Sequence, residues 1–224
     1  MFEHLRGPWK RIIAPIARGL VRIGISANGV TIIGAVGTVV VAIATGLTGW
    51  LLPGAVVLAV LVAFDSLDGS VAALTGGGTQ FGAFLDSTLD RIADWAVLAG
   101  VIIYLRRHEV LWASDPTHHG PDVWAQIGMA AALFAIMTSF VTSYARARAE
   151  AEGFEAKNGI ATRSDRLVII LVGMALTGAG LPLAVLSCFL VVLALLGIVT
   201  VWQRISLVNR AMSKNPQPAD PSHE

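Results

Sequence analysis

The chain has 224 residues, is 55% hydrophobic and 14% charged, and combines a mean hydropathy of +0.70 with a formal net charge of +1. That composition excludes an ordinary soluble domain and describes an integral membrane protein, and the near-neutral charge gives no footing for nucleic-acid binding. The single cysteine, Cys188, lies in an apolar stretch, which excludes a disulfide framework within the chain.

In chain order, residues 1–24 come first, alternating Leu5, Trp9, Ile12, Ile13, Ile16 and Leu20 with basic residues, as a helix lying on the cytoplasmic leaflet would. Pro8, Pro15 and the lack of a small-residue cleavage pattern argue against a cleavable signal peptide. Six windows long enough to cross a bilayer follow, at 28–48, 51–74, 80–105, 122–148, 165–181 and 183–205. They define an all-α transmembrane domain over 25–210, and the polar, Pro-rich segment 211–224 reads as a disordered tail. Arg6, Lys10, Arg11, Arg18 and Arg22 precede the first window. Arg146, Arg148, Lys157, Arg163 and Arg166 lie between the fourth and fifth, and Arg204, Arg210 and Lys214 follow the last. Only Arg106 and Arg107 fall on the opposite side, so both termini face the cytoplasm of a multi-pass plasma-membrane protein.

Windows two and three contain "FDSLDGSVAALTGGGTQFGAFLDSTLDRIAD" at 64–94, which places Asp65, Asp68, Asp86, Asp90 and Asp94 where charge is costly. Gly76, Gly77 and Gly78 end one helix and let the chain reverse. Counted from Gly77, Asp68 and Asp86 are each nine residues away, and Asp65 and Asp90 are twelve and thirteen away, so the four sit at matched depth. With i, i+3 spacing for Asp65 and Asp68 and i, i+4 for Asp86 and Asp90, each pair projects from one helix face, giving a four-carboxylate cage. Four carboxylates this close need a cation, and an all-oxygen donor set selects Mg²⁺ or Mn²⁺. His118 and His119 lie across the membrane from it. Asp94, one turn beyond Asp90, is a candidate for supporting the cage or for pairing with a basic residue. Gly69, Ala72 and Gly82 border the cage and serve either close ligand approach or helix packing.

The pattern Asp65-x-x-Asp68-Gly69-x-x-Ala72, then Gly82-x-x-x-Asp86-x-x-x-Asp90, resembles the signature of the CDP-alcohol phosphatidyltransferases, membrane enzymes that displace CMP from a CDP-linked lipid with an alcohol. The six windows, the leading surface helix and "SANGVT", with Asn28 and Thr31, are also similar to that family. The resemblance implies a two-metal site, Mg²⁺ with Mn²⁺ as a substitute, held by Asp65, Asp68, Asp86 and Asp90, with Asp90 also the general base. It further implies CDP contacts at Asn28, Thr31, Asp65, Asp68, Gly69, Ala72 and Gly82, and a homodimer. The chain departs from the family pattern at Ala73, where an Arg for the phosphate-bearing ligand is usual.

The run "TSYARARAEAEGFEAKNGIATRSDRLV" is a dense cytoplasmic basic cluster on the membrane face of the cage. Arginine favours paired contacts with phosphate oxygens, so the cluster implies an anionic acceptor. "SYARARAEA" followed by "RSDR" resembles the actinobacterial phosphatidylinositol phosphate synthases within the family. That implies transfer from CDP-diacylglycerol to inositol phosphate, with Arg146, Arg163 and Arg166, and less directly Arg148 and Lys157, on the acceptor phosphate. Glycerol 3-phosphate carries the same anionic handle. From another class, a cation transporter could use intramembrane carboxylates, but the carboxylates cluster at one depth with no polar path continuing through the bilayer. A catalytically dead scaffold is the third possibility, suggested only by Ala73.

Overall fold

The computed structural model describes residues 6–65, 67–154 and 162–214. Every regular element among them is an α-helix: α1 (Arg6–Arg22), α2 (Ala27–Thr48), α3 (Leu51–Phe64), α4 (Leu67–Leu74), α5 (Gln80–Ser114), α6 (Val123–Ala151), α7 (Arg163–Gly178) and α8 (Leu183–Lys214). Side-chain caps start most of the long helices. Ser26, Thr79 and Asp122 accept backbone N–H groups of α2, α5 and α6, and Thr162 forms a reciprocal capping box with Asp165 at α7.

Four segments are long and apolar enough to cross a bilayer: Ala27–Thr48, Leu51–Leu74, Val123–Ala151 and Leu183–Ser213. Two of the six expected windows do not qualify by themselves. In α5, Asp86, Asp90, Arg91 and Asp94 on one side and Arg106 and Arg107 on the other leave too short an uncharged stretch. At 16 residues, α7 is about 24 Å long, short of the roughly 30 Å hydrocarbon core. Both nevertheless pack in the bundle, α5 against α2 and α6, α7 against α3 and α8.

The second window contains α3 and α4, with Asp65 at the C-terminal cap of α3 in the right-handed helical region, and together they form the single candidate span Leu51–Leu74. At the far end, α8 continues to Lys214, into the segment expected to be an irregular tail; 215–224 lie outside the described residues.

Small residues set the helix spacing. In an apolar medium association depends on close van der Waals fit rather than on water exclusion. A Cβ on Gly100 would overlap the Ala42 carbonyl of α2, and one on Gly46 would overlap the Gly100 carbonyl, so α2 and α5 touch backbone to backbone. The core around this crossing contains Leu58, Val97, Val101, Leu105, Leu186 and Leu190. Gly100→Val therefore forces two helices apart and is expected to cost at least about 1–3 kcal/mol, read as a lower melting temperature of the detergent-solubilised protein. A second cluster, Ile13 and Ala17 with Leu67 and Val71, fastens α1 to α4.

Candidate active site

The carboxylates gather where α3 ends, α4 begins and α5 passes. Asp68 lies in the first turn of α4, where a negative charge suits the helix N-terminus. Its Oδ1 accepts the Gly69 N–H at 2.6 Å and its Oδ2 accepts the Thr31 hydroxyl at 2.9 Å. One carboxylate oxygen from each of Asp65, Asp86 and Asp90 lies within 4.8 Å of the others. Asp68, the fourth member of the expected cage, lines a cleft that also includes Asp86. Three partly exposed carboxylates at this separation form a hard, open donor set that fits a divalent cation.

Arginines from α7 close the group. Arg163, the first residue of α7, donates from Nη1 to Asp65 at 2.7 Å and from Nε to Asp94 at 3.1 Å, and its Nη2 pairs with Asp90 at 2.9 Å. One turn on, Arg166 donates from Nη2 to the other oxygen of Asp94 at 3.3 Å. Asp94 is only 7% exposed, and its place as partner to basic residues, one of its two expected roles, is the one observed.

Two clefts meet at Asp86. The first, of about 370 Å³, is lined by Asn28, Thr31, Asp68, Gly69, Ala72 and Gly82 as well as Asp86. A side chain on Gly69 would meet nothing within 4 Å, so its bare backbone faces open space rather than a packed helix. At Gly82 a Cβ would press on Asn28 Oδ1 at 3.0 Å and Thr79 Oγ1 at 3.1 Å. Gly76 and Gly77, with φ of 101° and 106°, make the turn behind this cleft in the left-handed region that glycine tolerates. Ala73 is exposed, and no basic side chain is among the described residues lining this cleft.

The second cleft, about 790 Å³, has the opposite character. Arg91, Arg146, Arg163, Arg166 and Arg204 line it together with Asp86, Asp90, Ser143 and Thr162. Arg204 donates from Nη1 to the Thr142 carbonyl, while its buried Nε has no hydrogen-bond partner among the described residues. Arg91 donates to the Ser143 hydroxyl. Neither arginine was among the expected acceptor residues. Arg204 carried a usable signal, a charge at the end of an otherwise apolar window. Arg148, another expected residue, pairs with Glu152 at 2.6 Å along α6 and is not among the residues lining the cleft, and Lys157 lies outside the described residues. Arg146 lines the cleft while bonded to Glu150 at 2.8 Å.

Residues 25–208 match the CDP-alcohol phosphatidyltransferase family. The chain belongs to that family. It is 38% identical to a phosphatidylinositol phosphate synthase of Cutibacterium acnes, over 94% of this chain and 99% of the relative. The Mycobacterium tuberculosis protein of the same name is 39% identical over 91% of this chain and 88% of its own length. Two solved structures of the Mycobacterium tuberculosis synthase superpose well. One, with CDP-DAG bound, has a TM-score of 0.76 and 37% identity, covering 88% of this chain and 94% of that one. The other, in complex with manganese and citrate, has a TM-score of 0.77 and 36% identity, covering 88% of each. A CDP-alcohol phosphatidyltransferase must bring a nucleotide diphosphate and an alcohol to one phosphorus atom. This one has two clefts of unlike charge that share a carboxylate edge.

Proposed function

We propose that this phosphatidyltransferase moves the phosphatidyl group of CDP-diacylglycerol onto inositol phosphate, releasing CMP and forming phosphatidylinositol phosphate. The observation that carries the reading is the pair of clefts meeting at Asp86: among the described residues, one is glycine-walled with no basic lining and the other is lined by five arginines. The relatives' names point to the same acceptor and do not favour glycerol 3-phosphate or cation transport.

The donor lies in the first cleft, its cytidine and diphosphate along Asn28, Thr31, Gly69, Ala72 and Gly82, where missing side chains admit it to the backbone. Asp65, Asp86 and Asp90, with Asp68 beside them, would hold two divalent ions, Mg²⁺ or Mn²⁺, which neutralise the diphosphate and stabilise departing CMP. Arg91, Arg146, Arg163, Arg166 and Arg204 hold the acceptor phosphate, and Thr162 brings the N-terminus of α7 to the same wall. Asp90, which lines this cleft, takes the proton from the acceptor hydroxyl as that oxygen bonds to the phosphatidyl phosphorus and the bond to CMP breaks.

The distribution of basic residues supports a reading in which this site faces the cytoplasm from a bundle of six spans, with α5 and α7 sheltered by their neighbours and α1, packed against α4, on the inner leaflet. The test is CMP release by purified protein with CDP-diacylglycerol and Mg²⁺, offered inositol phosphate, glycerol 3-phosphate or free inositol. Release with inositol phosphate alone is expected, and release only with glycerol 3-phosphate overturns the acceptor. Light scattering on the same sample reads the homodimer that the family implies. Arg204→Ala should raise KM for inositol phosphate about 10–100-fold with a smaller change in kcat, because it removes charge-assisted bonds to the acceptor.

A further inference from the structure

We infer that Arg163 is a resident cation of the carboxylate group, displaced into the acceptor cleft when divalent ions bind, so that the acceptor site is completed only on an ion-loaded enzyme. This rests on the reading of Asp65, Asp86 and Asp90 as the ion site.

The geometry points to mutual exclusion. Asp65 and Asp90 supply two of the three carboxylates whose oxygens lie within 4.8 Å of one another, and Arg163 spans both, at 2.7 Å and 2.9 Å. Its remaining edge is bound to Asp94 at 3.1 Å, so all three faces of the guanidinium fork are spent on carboxylates. A carboxylate oxygen that accepts a short bond from a guanidinium has its lone pair directed there and is a poorer ligand for a cation arriving on the same side. The local helix does not explain the position. Arg163 opens α7, where the macrodipole disfavours a cation and favours an anion, so the carboxylates hold it there against the field of its own helix. It also lines the arginine-rich cleft, so it stands at the wall that an acceptor phosphate would meet. Arg166 can stay on the far oxygen of Asp94 throughout, keeping α7 anchored to α5.

Charge makes the exchange coherent. Arg163 offsets part of the repulsion among Asp65, Asp86, Asp90 and Asp94. Divalent ions take over that task with a larger charge, which frees Arg163 for the second substrate. Binding linkage then requires each ligand to help the other, so ion loading raises affinity for the acceptor and the acceptor raises affinity for the ion.

The experiment titrates Mn²⁺, without nucleotide or acceptor, into detergent-solubilised wild type, Arg163→Gln and Arg163→Lys, reading free Mn²⁺ by electron paramagnetic resonance. Both variants should bind Mn²⁺ at least about tenfold more tightly than wild type, since each loses a fork of charge-assisted bonds to the ligands. Lysine is the deciding case. It keeps the positive charge but cannot bridge three carboxylates, so long-range repulsion alone would leave it like wild type, whereas displacement of a clamp makes it resemble glutamine. Equal affinities in all three proteins, or Arg163→Lys matching wild type, overturn the inference. A failure of the transferase reading is separate, because it appears as absence of CMP release in the wild type whatever the order of Mn²⁺ affinities.

Discussion

Asp90→Asn is expected to lower CMP release from CDP-diacylglycerol by about 10²–10⁴-fold while leaving the protein folded. The substitution keeps the size of a side chain about three turns into α5, so the α2–α5 contact and the thermal unfolding profile should be close to wild type. An amide oxygen can still ligate a cation weakly, but it cannot accept the hydroxyl proton. The rate should therefore fall much further than Mn²⁺ affinity does, which separates loss of the base from loss of the ion. Retention of more than about a tenth of wild-type turnover would remove Asp90 from the proton-transfer role.

Asp94→Ala acts on stability instead. The carboxylate is buried and receives Arg163 on one oxygen and Arg166 on the other, tying the start of α7 to α5. Removing one side of a buried charge network costs on the order of 3–5 kcal/mol. For a domain of this size that is a fall of roughly 10 °C in melting temperature, measured in detergent. Combining it with Arg166→Met should recover part of the loss, because the guanidinium is then no longer buried beside a missing carboxylate. An unchanged melting temperature for Asp94→Ala would mean that the α5–α7 junction is held by apolar packing alone.

The two variants separate what could be read locally from what could not. Asp90 stood out in the sequence because an aspartate in an apolar window is conspicuous and its i, i+4 relation to Asp86 needs only helical geometry. Asp94 stood out for the same reason, yet its partners are 69 and 72 residues away, and nothing in α5 reveals which cation will arrive. Asp68 shows the same limit, since its hydrogen bond from Thr31, 37 residues earlier, cannot be read from the spacing of the aspartates. Arg146 and Arg148, two residues apart on one helix, point to different sides, and Arg146 is the one that lines the cleft.

Sequence by itself determined the helical membrane architecture, the glycine turn between α4 and α5, the identity of the carboxylates and the family signature. All of these are set by composition, helical period and short spacings that survive any packing of the helices. Only the tertiary structure decided which three carboxylates converge, that Asp94 anchors α7, that Arg91 and Arg204 join the basic cleft, and that Arg163 spans the candidate ion site. Those contacts depend on how α5, α6, α7 and α8 cross. The crossings are in turn set by close backbone approaches such as Gly46 with Gly100, whose consequences for distant side chains cannot be read along the chain.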